Sequence, residues 1–118
     1  MASVIGLLLI VILAGLVSPP VDAFTRCEYV YDYFPYCLDF LVGYRALATT
    51  RCCNHVKKLN FLAKHLLGPR LICECIEAMV RGMDPPLIAY NIDALPYQCS
   101  TQLSFPISSS MDCSTVPA

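Results

Sequence analysis

Apolar residues recur at helical spacing in four segments of the chain. Steps of three, four or seven residues place them on one face of a helix, and polar residues mostly occupy the opposite face. The strongest stripes are Val30, Phe34, Leu38 and Leu41; Val56, Leu59, Ala63, Leu66 and Leu67; and Ile72, Ile76, Met79, Val80 and Met83. A weaker stripe consists of Leu87, Ile88, Ile92 and Leu95. The pattern predicts four helices and an all-α fold.

Residues that cap or break helices predict where each segment begins and ends. Helix starts are predicted at Thr25 with Glu28 as a capping box, at Thr49 or Thr50, at Pro69, and at Asp84 before two prolines. Ends are predicted at Gly43, Gly68 and Gly82, with a kink at Pro35. From Cys99 onward the helical period disappears, so the last residues are predicted to form an extended tail that Cys113 holds in place.

The N-terminus is typical of a secreted protein. Residues 4–17 form an unbroken apolar run, which is shorter than the about 20 residues that a bilayer-spanning helix needs but suits a signal peptide. Val21 and Ala23 supply small residues at positions −3 and −1 of a cleavage site. We therefore predict a signal peptide at 1–23 and one secreted, extracellular domain at 24–118; a buried apolar helix is the alternative.

The charge of the predicted mature domain argues against several classes of function. Residues 24–118 contain all eight Lys and Arg and eight of the nine acids, so their formal charge is zero. Nucleic-acid binding depends largely on Lys and Arg at phosphates, and membrane-lytic peptides are cationic. The sequence also contains no recognisable nucleophile motif or histidine-centred triad. It predicts a monomeric, non-enzymatic protein with no nucleic-acid partner.

Closely spaced cysteines indicate disulfides rather than a metal site. An even number of cysteines in a short secreted domain is typical of a disulfide framework, and this chain has eight. Zinc ligands usually stand two to four residues apart, whereas Cys52 and Cys53 are adjacent and Cys73 and Cys75 are separated by one residue. On a helix, both pairs diverge, so each cysteine needs a different distant partner. No cofactor or metal is expected, and the pairing stays open among about 105 possibilities.

The cysteine spacing resembles a known motif. The intervals are nine, fourteen, none, nineteen, one, twenty-three and thirteen residues, and the stretches "CCNHVKKLN" and "ISSSMDC" are also similar to that family. This resembles the eight-cysteine motif of plant non-specific lipid-transfer proteins in the type 1 spacing, over the whole predicted mature domain. The resemblance implies four disulfide-stapled helices and a tail around an internal hydrophobic tunnel. It also implies the pairs Cys27–Cys75, Cys37–Cys52, Cys53–Cys99 and Cys73–Cys113.

The implied function is to enclose the acyl chains of fatty acids, phospholipids or galactolipids, with transient contact with membrane surfaces. Such a carrier would move lipids between membranes or to the cell wall for cuticle deposition. The expected lining residues are Val30, Phe34, Phe40, Leu41, Val56, Leu59, Ala63, Arg70, Ile76, Met79, Met83, Ile92, Leu103, Phe105, Ile107 and Val116. From the residues alone, apolar faces that simply pack on one another are an equal alternative to a tunnel.

Several positions depart from the family pattern near the expected tunnel mouth. Phe40 and Phe105 stand where tyrosines are usual, Gly68 and Pro69 replace an Asp-Arg pair, and Glu77 replaces a lysine. Head-group recognition is therefore expected to be weak and to depend on the displaced Arg70. The alternative function is a protein-binding module of the seed-albumin and enzyme-inhibitor type, although the insertions and Gln-rich segments of those proteins are missing here.

Overall fold

The structure is a computed structural model that describes residues 26–118. The predicted signal peptide at 1–23 and the predicted capping residue Thr25 lie outside the described residues. Both stay predictions, as does the boundary between signal peptide and mature domain.

The described residues form helices and no strand. The first helical region consists of α1, a 3₁₀ turn that contains Pro35, and α2; three longer helices follow, and a second 3₁₀ turn lies in the tail. Their bounds are α1 Glu28–Tyr33, 3₁₀ turn Phe34–Cys37, α2 Leu38–Leu41, α3 Thr50–His65, α4 Pro69–Val80, α5 Ala89–Gln98 and 3₁₀ turn Cys113–Thr115. The predicted all-α fold with an irregular tail is confirmed.

Local chemistry explains the ends of the helices. The Thr49 hydroxyl accepts a hydrogen bond from the Cys52 N–H at 3.0 Å and so caps α3. Pro69 occupies the first turn of α4, where its missing N–H costs nothing. Gly68 before it has a φ of +86°, and a Cβ there would lie 2.9 Å from the carbonyl carbon of Ala118. Glycine at this corner therefore permits both the turn and the approach of the C-terminus.

The last of the four predicted helices, α5, begins later than predicted. It starts at Ala89 rather than at Asp84. The Ile88 N–H donates a hydrogen bond to the Leu41 carbonyl at 2.8 Å, which holds the preceding segment against the end of α2. Two successive prolines in that segment cannot donate backbone hydrogen bonds, so tertiary contact prevails over helix formation there.

Four disulfides connect these elements. The pairs are Cys27–Cys75, Cys37–Cys52, Cys53–Cys99 and Cys73–Cys113, with Cα separations of 4.8–5.8 Å. These are the pairs that the resemblance implies. As helix geometry predicts, the two cysteines of each close pair extend to different parts of the chain. The helices α3 and α4 are thereby each tied to two other parts of the chain.

The main core lies between the first helical region, α3 and α4; α5 contributes Leu95 to it, and the tail contributes Phe105 and Ile107. Glu74, between the cysteines of α4, is exposed, whereas Glu77 is buried. The Glu77 carboxylate lies against Arg81 on one side and against the Cys113 sulfur on the other.

Among residues 26–118 no helix is long and apolar enough to cross a membrane.

Candidate functional site

A cavity of about 850 Å³ lies between α5 and the first part of the tail. It opens to solvent on one side. Its lining consists of one face of the second half of α5 and the tail segment that runs alongside it: Ile92, Asp93, Pro96, Tyr97, Thr101, Gln102, Leu103, Phe105, Pro106 and Ile107. No Lys, Arg or His side chain lines this cavity.

The lining changes from polar to apolar with depth. Phe105 and Ile107 form the floor, since only 3% and 7% of their surfaces are exposed. Asp93, Tyr97 and Gln102 are exposed at the rim. An amphiphile would therefore place its apolar chain on the floor and its polar end at the rim, where water remains available.

Asn60 of α3 fixes the tail wall of the cavity. Its side-chain nitrogen donates to the Gln102 carbonyl at 2.9 Å, and its side-chain oxygen accepts from the backbone N–H and the hydroxyl of Ser104 at 2.7 and 2.9 Å. Asn60 is only 6% exposed. Because the tail lacks secondary structure here, these three bonds replace the backbone pairing that a helix or strand would provide.

Four of the sixteen predicted lipid-contact residues line the cavity: Ile92, Leu103, Phe105 and Ile107. Eight others are buried in the main core and do not line it: Val30, Phe34, Phe40, Leu41, Val56, Leu59, Ala63 and Ile76. Met79 and Met83 are half-buried against the same core. The structure thus shows an open cleft on the tail side and packed side chains beneath it.

The remaining two predicted residues lie at the C-terminal end of the tail. Val116 packs with Cys73 and Cys113 in a separate small cluster. The Arg70 guanidinium donates through Nε to the Val116 carbonyl at 2.8 Å, and the Arg70 backbone N–H donates to the Pro117 carbonyl at 3.1 Å. Arg70 and the start of α4 therefore anchor the tail. The head-group role of Arg70 stays a prediction.

Asp112 stabilises the turn that carries Cys113. Its carboxylate accepts hydrogen bonds from the Ser114 hydroxyl at 2.7 Å and from the Ser114 N–H at 3.0 Å. Both bonds favour the charged carboxylate and hold the pKa of Asp112 below its usual value.

No group of three or more potential metal ligands occurs among residues 26–118.

The sequence analysis missed the rim of the cavity. Asp93, Pro96, Tyr97, Thr101 and Gln102 line it, but none belongs to an apolar stripe. A signal did exist in α5, because Asp93 and Tyr97 are four residues apart and follow Ile92 and Pro96 directly. The tail residues gave no such signal, since their placement depends on Asn60, more than forty positions away.

A second, shallower groove of about 330 Å³ lies between α1 and α3. It is lined by Tyr29, Tyr33, Asn54, Lys57, Lys58, Phe61 and Leu62. Lys58 lies 5.5 Å from the centroid of the Tyr33 ring, and Arg51 lies 4.8 Å from that of Tyr36. This surface combines exposed aromatic rings with cations.

Comparison with known proteins places this architecture in a family. The chain is 59% identical over 91 residues to non-specific lipid-transfer protein 13 of Arabidopsis thaliana, which covers 76% of this chain and 72% of that protein. The chain belongs to the non-specific lipid-transfer proteins. A scan against protein-family models gave no match.

Solved structures agree with this membership of the non-specific lipid-transfer proteins. Lipid-transfer protein 1 from barley, in complex with a lysophosphatidylcholine, aligns with a TM-score of 0.64 and 27% identity, covering 76% of this chain and 97% of that one. The wheat non-specific transfer protein, complexed with two phospholipid molecules, aligns with a TM-score of 0.62 and 29% identity, covering 76% and 98%.

Proposed function

We propose that this protein is a secreted, monomeric lipid carrier that holds an acyl chain in the cavity between α5 and the tail. The observation that carries the proposal is the apolar floor of Phe105 and Ile107, with Leu103 beside it on the tail wall, beneath an open rim in a member of the lipid-transfer family. No catalytic step is required. The substrate class is fatty acids, phospholipids and related acyl lipids.

The size and character of the cavity support this proposal. Small-molecule sites usually measure about 300–1,000 Å³ and are mostly apolar with a few polar groups, and the cavity of about 850 Å³ falls within that range. Burial of each methylene contributes about 0.8 kcal/mol, so a long chain can bind firmly without directional contacts. The lysophosphatidylcholine of the barley complex and the phospholipids of the wheat complex are ligands of this class.

The surface of α3 supports transient contact with an anionic membrane. Residues 50–65 include Arg51, Lys57, Lys58 and Lys64 and contain no Asp or Glu. Phe61 on the same helix is 62% exposed, and tyrosines of the first helical region lie beside it. Basic residues attract anionic lipid surfaces and aromatic rings favour the membrane interface. Lys57→Glu with Lys58→Glu should reduce sedimentation with phosphatidylserine vesicles but leave sedimentation with phosphatidylcholine vesicles unchanged.

Displacement of a fluorescent lipid tests the proposed function. Hexadecanol should displace the probe from the wild-type protein. Ile107→Asp should weaken binding of the probe by about tenfold or more, because an unpaired carboxylate on the apolar floor costs more than about 1.4 kcal/mol. Leu66→Asp is the matched control, since Leu66 is an exposed leucine that does not line the cavity.

Circular dichroism should show the same helix content for both variants and the wild-type protein. Unchanged affinity of folded Ile107→Asp would contradict the proposed binding site. If no acyl lipid displaces the probe, lipid carriage is contradicted altogether and a protein-binding function is favoured.

A further inference from the structure

The rim of the cavity is chemically one-sided. Asp93 supplies a negative charge, and the other side chains of the lining are uncharged. The two ion pairs of residues 26–118 are Arg45–Asp39 and Arg81–Glu77, so neither neutralises Asp93. Arg70, the arginine that the sequence placed near the mouth, instead donates to the Val116 carbonyl.

Two tyrosines flank Asp93 on the same face of α5. Tyr90 and Tyr97 are three residues before and four after it, which brings all three side chains together on the helix surface. They also line an adjoining hollow of about 450 Å³ with Ala94 and Gln98, and Asp93 and Tyr97 belong to both hollows. The two rings are 80% and 86% exposed, which leaves their faces accessible.

We infer that the rim selects single-chain amphiphiles with a cationic ammonium group at the polar end over free fatty acids. This inference rests on the proposed function. A carboxylate at the rim would be repelled by the Asp93 carboxylate, whereas an ammonium would be attracted by it. Aromatic faces add a favourable interaction with quaternary ammonium ions, and recognition of choline by aromatic rings is a recurrent use of this contact.

The expected discrimination is moderate because the rim is exposed. An exposed ion pair changes affinity by up to about fivefold, and an exposed cation–aromatic contact contributes by a similar factor. An ammonium amphiphile should therefore bind about tenfold more tightly than a carboxylate of equal chain length. Because salt screens exposed charges, the ratio should shrink as salt rises from about 0.01 to 1 M.

Competition against an uncharged fluorescent alkyl probe tests the inference, with all competitors below their micellar concentrations. Hexadecyltrimethylammonium should bind most tightly, hexadecanol next and hexadecanoate least. Asp93→Asn should reduce the ammonium-to-carboxylate ratio by up to about fivefold. Asp32→Asn is the matched control, because it removes the same charge from an exposed position on α1 that does not line the cavity, and it should leave the ratio unchanged.

A second variant separates charge from ring. Tyr97→Leu should weaken binding of the ammonium by about two- to fivefold and leave binding of the carboxylate unchanged. Equal binding of the three amphiphiles, or equal effects of Asp93→Asn and Asp32→Asn, would overturn the inference and leave lipid carriage intact. No displacement by hexadecanol would overturn both proposals, because the cavity would then hold no acyl chain.

Discussion

The two sides of this molecule use apolar residues in opposite ways. Between the first helical region, α3 and α4, side chains such as Val30, Leu59 and Ile76 are fully buried against one another. Between α5 and the tail, Leu103 stays half-buried and faces an open cavity. We call these the packed side and the open side. The same kinds of residue serve stability on one side and ligand capacity on the other.

The means of holding the backbone also differ between the two sides. On the packed side, helices satisfy their own backbone groups. On the open side, the tail depends on Asn60, on Arg70 and on Cys73–Cys113. A disulfide that closes a loop of about 15 residues adds roughly 3 kcal/mol by restricting the unfolded chain. Cys37–Cys52 closes a loop of this length, and the other three disulfides close longer ones. With this covalent support, the protein can leave apolar residues unpacked and retain a cavity.

Removing a disulfide from each side should affect the two sides differently. Cys37→Ala with Cys52→Ala should lower the free energy of unfolding by about 3 kcal/mol and leave lipid affinity nearly unchanged in the folded state. Cys73→Ala with Cys113→Ala should cost a similar amount and also weaken lipid binding, because the tail loses a covalent anchor. Urea unfolding and probe displacement measure the two effects. Equal affinities of the two variants would remove the distinction between the sides.

Truncating one leucine on each side should separate effects on stability from effects on lipid affinity. Leu59→Ala should lower the free energy of unfolding by about 2–5 kcal/mol, because it leaves a cavity in a closed core. Leu103→Ala should cost less than about 1 kcal/mol in stability but reduce lipid affinity, since it removes contact with the bound chain. If Leu103→Ala destabilises the protein as much as Leu59→Ala does, the tail wall belongs to the core and not to a binding site.

Asn60 connects the two sides, so its truncation should affect both measurements. Asn60→Ala leaves the Gln102 carbonyl and the Ser104 N–H without their partner, which should cost about 1–3 kcal/mol in stability. Lipid affinity should fall as the tail wall loosens. Asn54→Ala, an exposed position on the same helix, is the control and should change neither quantity by more than about 0.5 kcal/mol. If Asn60→Ala leaves lipid affinity unchanged, the hydrogen bonds of Asn60 do not shape the cavity.

Arg70→Ala should give the smallest effect. Loss of the bond to the Val116 carbonyl should lower stability by about 1 kcal/mol, and affinities for a fatty acid and for a fatty alcohol should change by equal factors. A loss confined to the fatty acid would show that Arg70 binds the head group, as the sequence predicts, in addition to anchoring the tail.

The sequence predicted what depends on short-range patterns. The apolar stripes predict α3 and α4. Their starts follow from Thr49, one of two candidate caps, and from Pro69, because caps act within one turn. Helical divergence predicted that Cys73 and Cys75 have different partners, while the pairing itself came from the family resemblance. The start of α5 was misplaced because the bond from Ile88 to Leu41 spans distant parts of the chain.

The candidate site was harder to predict for the same reason. The sequence placed Phe105 and Ile107 at a lipid surface, but it could not separate cavity residues from core residues such as Val56, since both follow the same period. Arg70 was assigned to the head group from its position near the start of α4. Its actual partner is a carbonyl 46 residues later, which no local pattern reveals.

Photocrosslinking tests whether the acyl chain occupies the cavity between α5 and the tail. A fatty alcohol with a diazirine at mid-chain is bound to the oxidised protein, irradiated and mapped by mass spectrometry. Occupation of the cavity on the open side predicts crosslinks to Leu103, Phe105 and Ile107, which are lost in competition with hexadecanol. Crosslinks confined to Tyr29, Phe61 and Leu62 would place the lipid in the groove between α1 and α3 and would contradict the proposed site.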